Sequence, residues 1–187
     1  SLKRRLDKQK IKELKIESPL KMIQEGLTHT QKVYKGVKEF TNLVKQETQL
    51  DRQEVDLKEI LNNYLSSTSY KKQVVIEDLK TLNVNEALFC TAVDNLIRNG
   101  LKYNDSPTKL VKIYLEDKNT LAIEDNGRGM SQEEFLLLSQ PYERREDQKE
   151  KGTGLGLNIC ISIMEEHGYE VTAEKLEQGT KLRILLT

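Results

Sequence analysis

Apolar positions along this chain recur in two different rhythms. In the first stretch the spacing is helical. Leu2, Leu6, Ile11, Leu14, Leu20, Ile23 and Leu27 return mostly every three or four residues among Lys, Arg, Glu and Gln. Pro19 removes one backbone donor and is expected to bend this helix. Gly26-Leu-Thr-His-Thr30 reads as a turn. A second helix follows, with Val33, Val37, Phe40 and Val44 in a narrow, seam-like stripe. A two-helix hairpin cannot enclose a core by itself. Pairing two hairpins into an antiparallel four-helix bundle, a homodimer, is the economical expectation. The alternative is that both stripes pack on the C-terminal part of the same chain.

From Gln53 the rhythm changes. Residues 53–56 read as a short extended entry and 57–66 as a helix with Leu57, Ile60, Leu61, Tyr64 and Leu65 on one face. Residues 73–78 are β-branched enough for a strand. A long helix is expected over 85–103, capped by Asn83 or Asn85. Residues 109–115 and 120–124 read as two strands joined by a turn. Ser131-Gln-Glu-Glu134 is a capping box that opens a short helix. The stretch 140–151 is almost wholly polar. A helix over about 155–166 ends at His167-Gly168, with His167 expected as a C-terminal cap favoured by the helix dipole. Residues 169–175 and 180–186 form a final hairpin. The pattern predicts an α+β chain in two parts. A helical hairpin occupies 1–50, and an α/β sandwich with helices on one face of a mixed sheet occupies 51–187.

Composition narrows the function. The 187 residues suffice for one good core and a small appendage. Thirty basic and thirty acidic residues cancel, which favours neither a nucleic-acid nor a membrane surface. No apolar run approaches the roughly 18 residues of a membrane span. Cys90 and Cys160 fall in apolar helical patterns and are expected to be reduced, buried thiols of a cytoplasmic protein. The chain opens inside a helical pattern, as a piece of a longer protein would.

Three polar clusters carry candidate chemistry. In Asp94-Asn-Leu-Ile-Arg-Asn-Gly-Leu-Lys-Tyr103, Asn95 and Asn99 share one helix face, with Lys102 close to it. Asparagine oxygens suit Mg²⁺, which keeps waters and substrate phosphates as its other ligands. A solvated helix face is the simpler alternative. In Ile123-Glu-Asp-Asn-Gly-Arg-Gly-Met130, Asp125 follows a strand beside Gly127 and Gly129. A carboxylate only accepts hydrogen bonds, which suits the exocyclic amine of adenine and not the carbonyl of guanine. A plain Asp-Asn-Gly turn is the alternative. In Gly152-Thr-Gly-Leu-Gly-Leu157, glycines precede a helix and would leave backbone N–H groups facing an anion.

In this order, the three clusters resemble the N, G1 and G2 boxes of the ATP-binding domain of sensor histidine kinases, in the GHKL superfamily. The resemblance spans about residues 53–187, with a weaker one over 1–48. It implies ATP and Mg²⁺ as ligands. Asn99 is then the metal ligand, Asn95 supports the phosphate end, and Lys102 and Tyr103 flank the phosphates. Asp125 reads adenine, with Gly127, Gly129 and Met130 around it. Gly152, Thr153, Gly154, Leu155, Gly156 and Leu157 form the phosphate end of a lid over 140–151. Pro141-Tyr-Glu-Arg144 partly resembles the F box, with Tyr142 for the usual phenylalanine. Arg144 and Arg145 are candidates to reach the γ-phosphate or are solvated lid residues. Asn95, Lys102 and Arg144 form the implied catalytic set. A homodimer and a response-regulator receiver domain are the implied partners.

The resemblance departs in one place. The first helix ends in Ser18-Pro19-Leu20, as such kinases do, yet Leu14 and Lys15 stand where a phosphoacceptor histidine and an acidic residue are expected. Leucine cannot attack phosphorus. His29 is either a displaced acceptor or a turn residue. Related ATPases and serine kinases of this type carry a glutamate base where this chain has Asn95, which argues against water activation.

Overall fold

A computed structural model describes Leu20, Ile23, Leu27, residues 50–140, Glu143 and residues 156–186. Leu20, Ile23 and Leu27 are helical. The rest of the expected hairpin lies outside the described residues, including Leu14, Pro19, His29 and the seam of Val33, Val37, Phe40 and Val44. So does the lid apart from Gln140 and Glu143.

The described chain runs β1 (Gln53–Asp56), α1 (Leu57–Leu65), a 3-10 turn (Lys71–Gln73), β2 (Val74–Ile76), β3 (Thr81–Val84) and α2 (Glu86–Lys102). It continues with β4 (Val111–Leu115), β5 (Thr120–Asp125), α3 (Gln132–Leu138), α4 (Gly156–Glu166), β6 (Glu170–Lys175) and β7 (Thr180–Leu185). β1 and β3 pair as an antiparallel ribbon. The main sheet has the order β2-β4-β5-β7-β6. β2 runs parallel to β4, and every other neighbour pair is antiparallel.

Register explains why one face of the sheet is apolar. Ile113, Ile123, Leu182 and Ala173 stand opposite one another across four strands, and so do Leu115, Leu121, Ile184 and Val171. Side chains alternate between faces, so both rows point the same way. They meet Leu88, Phe89, Val93, Leu96 and Ile97 of α2 and Ile163 and Met164 of α4 in one buried cluster. Each such side chain contributes about 1.5–3 kcal/mol when fully buried. On the opposite face, Arg183 pairs with Glu116 and Glu174, and Lys181 pairs with Glu116. These partners hold the Glu116 carboxyl down at about 2.

Local chemistry sets the helix ends. Asp56 caps α1 by accepting from the Glu59 N–H at 3.0 Å. Asn85, not Asn83, caps α2 by accepting from the Leu88 N–H. Ser131 and Glu134 complete the expected capping box on α3. Gly168 ends α4 with a φ of 79°.

Two expectations need correction, and one strand was not expected. The strand expected over 73–78 is limited to Val74–Ile76, because Gln73 belongs to the preceding 3-10 turn. Thr81–Val84 is a strand although nothing in its short local pattern marks it; its partner β1 lies a helix and a strand away. His167 does bond the C-terminal end of α4, but not as a charged cap. It is 2% exposed. Its Nε2 accepts the Asn85 N–H at 3.0 Å, so the ring is neutral, and Nδ1–H donates to the Ile163 carbonyl at 2.7 Å. Burial pushes its pKa down, more than the Ile163 bond raises it.

Candidate functional site

Asp125 is the last residue of β5, a strand flanked by β4 and β7. Burial raises its pKa against the pull of the surrounding hydrogen bonds. One oxygen, Oδ1, accepts the Gly127 N–H at 2.8 Å and faces the Thr180 N–H at 3.4 Å. The other, Oδ2, faces Gly100 on α2. A Cβ there would stand 2.9 Å from Asp125 Cβ and 3.2 Å from Oδ2. Glycine inside a helix costs up to about 1 kcal/mol relative to alanine, and here, in the last turn of α2, it admits the carboxylate to the helix surface. Gly179 has the same function from the other side. Its φ is +95°, and a Cβ would fall 1.8 Å from the Asp125 carbonyl oxygen.

The other residues expected around the base gather at this turn. Gly127 supplies the N–H that orients Asp125. Gly129 is buried, and Met130 packs against the core. Thr180 belongs to this group too, through its N–H and its side chain, both of which bond Asp125. In the string Thr180 is only the start of a strand. Its approach to Asp125 across 55 residues leaves no local trace beyond the Gly179 turn.

α2 carries the second half of the site. Asn95 turns toward α4: a Cβ on Gly156 would lie 3.9 Å from its Oδ1. Its side chain also bonds Cys160, whose Sγ–H donates to the Ala92 carbonyl at 3.3 Å. Asn99 lies one turn further on and is half-buried. Lys102 reaches the Tyr103 hydroxyl at 2.9 Å. Gly156 opens α4, and Leu157 packs against the core. Arg144, Gly152, Thr153, Gly154 and Leu155 lie outside the described residues.

The arrangement suits an adenine nucleotide. A half-buried carboxylate, tied at Oδ1 and lying at Oδ2 against Gly100, is chemically suited to accept from an exocyclic amine. The donor chemistry also suits Mg²⁺ held mainly by phosphates and water, since Asn99 offers a neutral oxygen. Cys90 and Cys160 are buried, as expected. Among the described residues, no helix is long and apolar enough to cross a membrane.

Comparison with known proteins bears on the family and the fold. Residues 84–187 match the family described as histidine kinase-, DNA gyrase B-, and HSP90-like ATPase. Sporulation kinase C of Bacillus subtilis (strain 168) is 27% identical over 151 residues, covering 79% of this chain and 33% of the relative. Sensor histidine kinase CpxA of Escherichia coli (strain K12) is 34% identical over 94 residues, covering 48% of this chain and 20% of the relative. The chain thus spans a third or less of these relatives. Among solved structures, the Acinetobacter baumannii histidine kinase AdeS superposes with a TM-score of 0.59 at 17% identity, covering 97% of this chain and 85% of that one. The mycobacterial sensor histidine kinase MprB gives a TM-score of 0.58 at 23% identity, covering 72% and 96%. At such identities the likeness is one of fold. The match over residues 84–187 is more than half of the chain, and with it the chain belongs to the histidine kinase-, DNA gyrase B- and HSP90-like ATPase family, as an ATP-binding catalytic core of the histidine kinase kind.

Proposed function

We propose that the chain binds ATP with Mg²⁺ and orients the γ-phosphoryl group for in-line transfer, as the kinase core of a two-component signalling protein. The half-buried Asp125 carboxylate, tied at Oδ1 and turned by Oδ2 toward Gly100, carries this reading. In it, Asp125 accepts the adenine amine, with Thr180 and Gly127 holding the carboxylate. Asn99 supplies one metal oxygen, Asn95 supports the phosphate end, and Lys102 and Tyr103 flank the phosphates. Arg144 and the glycines from Gly152 to Gly156 close over them. Mg²⁺ supplies charge neutralisation at the phosphate oxygens. Catalysis of this kind rests on positioning and electrostatics. Pairing of two hairpins through Val37 and Phe40, and a receiver domain as downstream partner, belong to the same reading. So does a cytoplasmic location, which the two buried thiols favour.

A second reading is favoured by Leu14. With no imidazole at the expected acceptor position, the chain would act as a nucleotide-binding dimerisation module that transfers nothing to itself. Incubation with γ-labelled ATP and Mg²⁺ separates the two. Alkali-stable, acid-labile label on the chain supports transfer, and its loss in His29→Ala would identify a displaced acceptor. Tight ATP binding with no label, and label appearing in Leu14→His, supports the binding module in this chain. Absence of ATP binding overturns both.

A further inference from the structure

Asn126 stands directly beside the adenine-side carboxylate, yet its side chain is directed at another segment. Each of its polar groups is engaged there. Its N–H donates to the Leu110 carbonyl at 3.3 Å. Its carbonyl accepts the Ser106 hydroxyl at 2.6 Å. Its Oδ1 accepts from Asn104 Nδ2 at 2.8 Å and from the Leu110 N–H at 2.9 Å. Its Nδ2 donates to the Thr108 carbonyl at 2.8 Å. The partners are alternate residues, 104, 106, 108 and 110, of the segment that joins α2 to β4. That segment is wound around one asparagine.

The winding joins the two halves of the site. The segment begins just after Lys102 and Tyr103, the phosphate-side residues at the end of α2. It is bonded to the turn that follows Asp125, whose Gly127 N–H orients the base-side carboxylate. Two further ties lie alongside. The Arg128 N–H donates to the Tyr103 carbonyl at 3.3 Å, and the Arg128 side chain pairs with Asp105. Asn104 is 1% exposed, and its Oδ1 accepts the Ser106 N–H at 2.9 Å. Its Nδ2 therefore depends on Asn126 inside a closed environment, where a lost partner is costly.

We propose that Asn126, with Asn104, is a positioning residue. It holds the Asp125 carboxylate in its adenine-reading orientation and keeps base-side and phosphate-side groups in register. The proposal rests on the nucleotide reading above. Asparagine is required because the position both accepts two bonds and donates one. Aspartate retains the accepted pair and loses the donation to Thr108. Alanine loses all of them.

The test is calorimetric titration of the full chain with ATP and with purine riboside 5′-triphosphate, which lacks the 6-amino group. Wild type is expected to prefer ATP by about 10-fold or more, the value of one hydrogen bond to a buried charged acceptor. Asn126→Ala should lose that preference, with ATP weakened about 10-fold and the analogue changed by less than about 3-fold. Asn126→Asp should retain most of it. Equal weakening of both nucleotides in Asn126→Ala marks a merely structural residue and overturns the proposal, as does an undiminished ATP preference. Wild type that binds both nucleotides equally removes the Asp125 reading and the proposal with it. If Asn126→Ala does not fold, as melting would report, Asn104→Ser removes the buried bond to Asn126 and is read by the same ratio.

Discussion

The backbone N–H of Asn85 donates to Nε2 of His167 at 3.0 Å, across 82 residues of sequence. One imidazole thereby joins the start of α2 to the end of α4. It stacks on Tyr169 at 5.9 Å and meets the edge of Phe89 at 6.1 Å. A ring in this setting cannot take a proton without breaking its bond to Asn85.

This gives stability a pH dependence of known sign. The folded-state pKa of His167 lies below its ordinary 6.5, so the unfolded chain binds the extra proton first. The contribution of the neutral ring is complete above 6.5. It falls as pH drops below that value and levels off below the folded-state pKa. Thermal melts from pH 7.5 to 5.5 should show a declining midpoint in wild type. His167→Gln should be less stable at pH 7.5 by about 1–2 kcal/mol, from its lost hydrogen bonds, with a flatter pH profile. An equal slope in both proteins would refute the assignment.

Asp125→Ala should weaken ATP binding by at least about 1–3 kcal/mol, because the adenine amine loses a charged acceptor. GTP should compete poorly with ATP in wild type. Since the Asp125 pKa is raised above 3.8, ATP affinity should begin to fall on acidification at a higher pH than an ordinary aspartate would give. Equal affinity for ATP and GTP, measured by competition, would remove the base-reading role.

Asn99→Ala should act on the other end of the nucleotide. The Mg²⁺-dependent part of the ATP affinity should shrink, while affinity in excess chelator stays near the wild-type value. Titration of ATP with and without Mg²⁺ measures both terms. An unchanged Mg²⁺ dependence would exclude Asn99 as a ligand.

Gly179→Ala tests the close packing behind Asp125. A left-handed backbone costs a non-glycine residue on the order of 1–3 kcal/mol, and the added methyl would also collide with the Asp125 carbonyl. A large drop in melting temperature is expected, together with weaker ATP binding. A variant with wild-type stability would show that the β6–β7 turn does not lie against Asp125.

Local rules made much of this legible in the sequence. The Asn85 cap, the Ser131–Glu134 box and the Gly168 stop each depend on residues within one turn, and each is visible in the string. The asparagine spacing on α2 and the Asp-Asn-Gly turn likewise announce themselves. What was missed depends on distant partners. β3 is four residues long, and its meaning comes from β1. Thr180 joins the site only because β7 lies beside β5. Asn126 looked like an ordinary turn asparagine, since the loop that engages it begins 22 residues earlier. His167 reads as a cap favoured by the helix dipole because the string does not reveal Asn85 above its other nitrogen.

Arg52 precedes β1 and donates to the Glu166 and His167 carbonyls at 2.6 and 3.1 Å, while the Asp51 carbonyl accepts from Asn85 Nδ2 at 2.9 Å. Leu50 packs against the core beside them. Asp51 and Arg52 are thus riveted to the far ends of the two helices that present Asn95, Asn99 and Gly156. A torque applied at Asp51 and Arg52 would arrive at both helices together, as through a yoke.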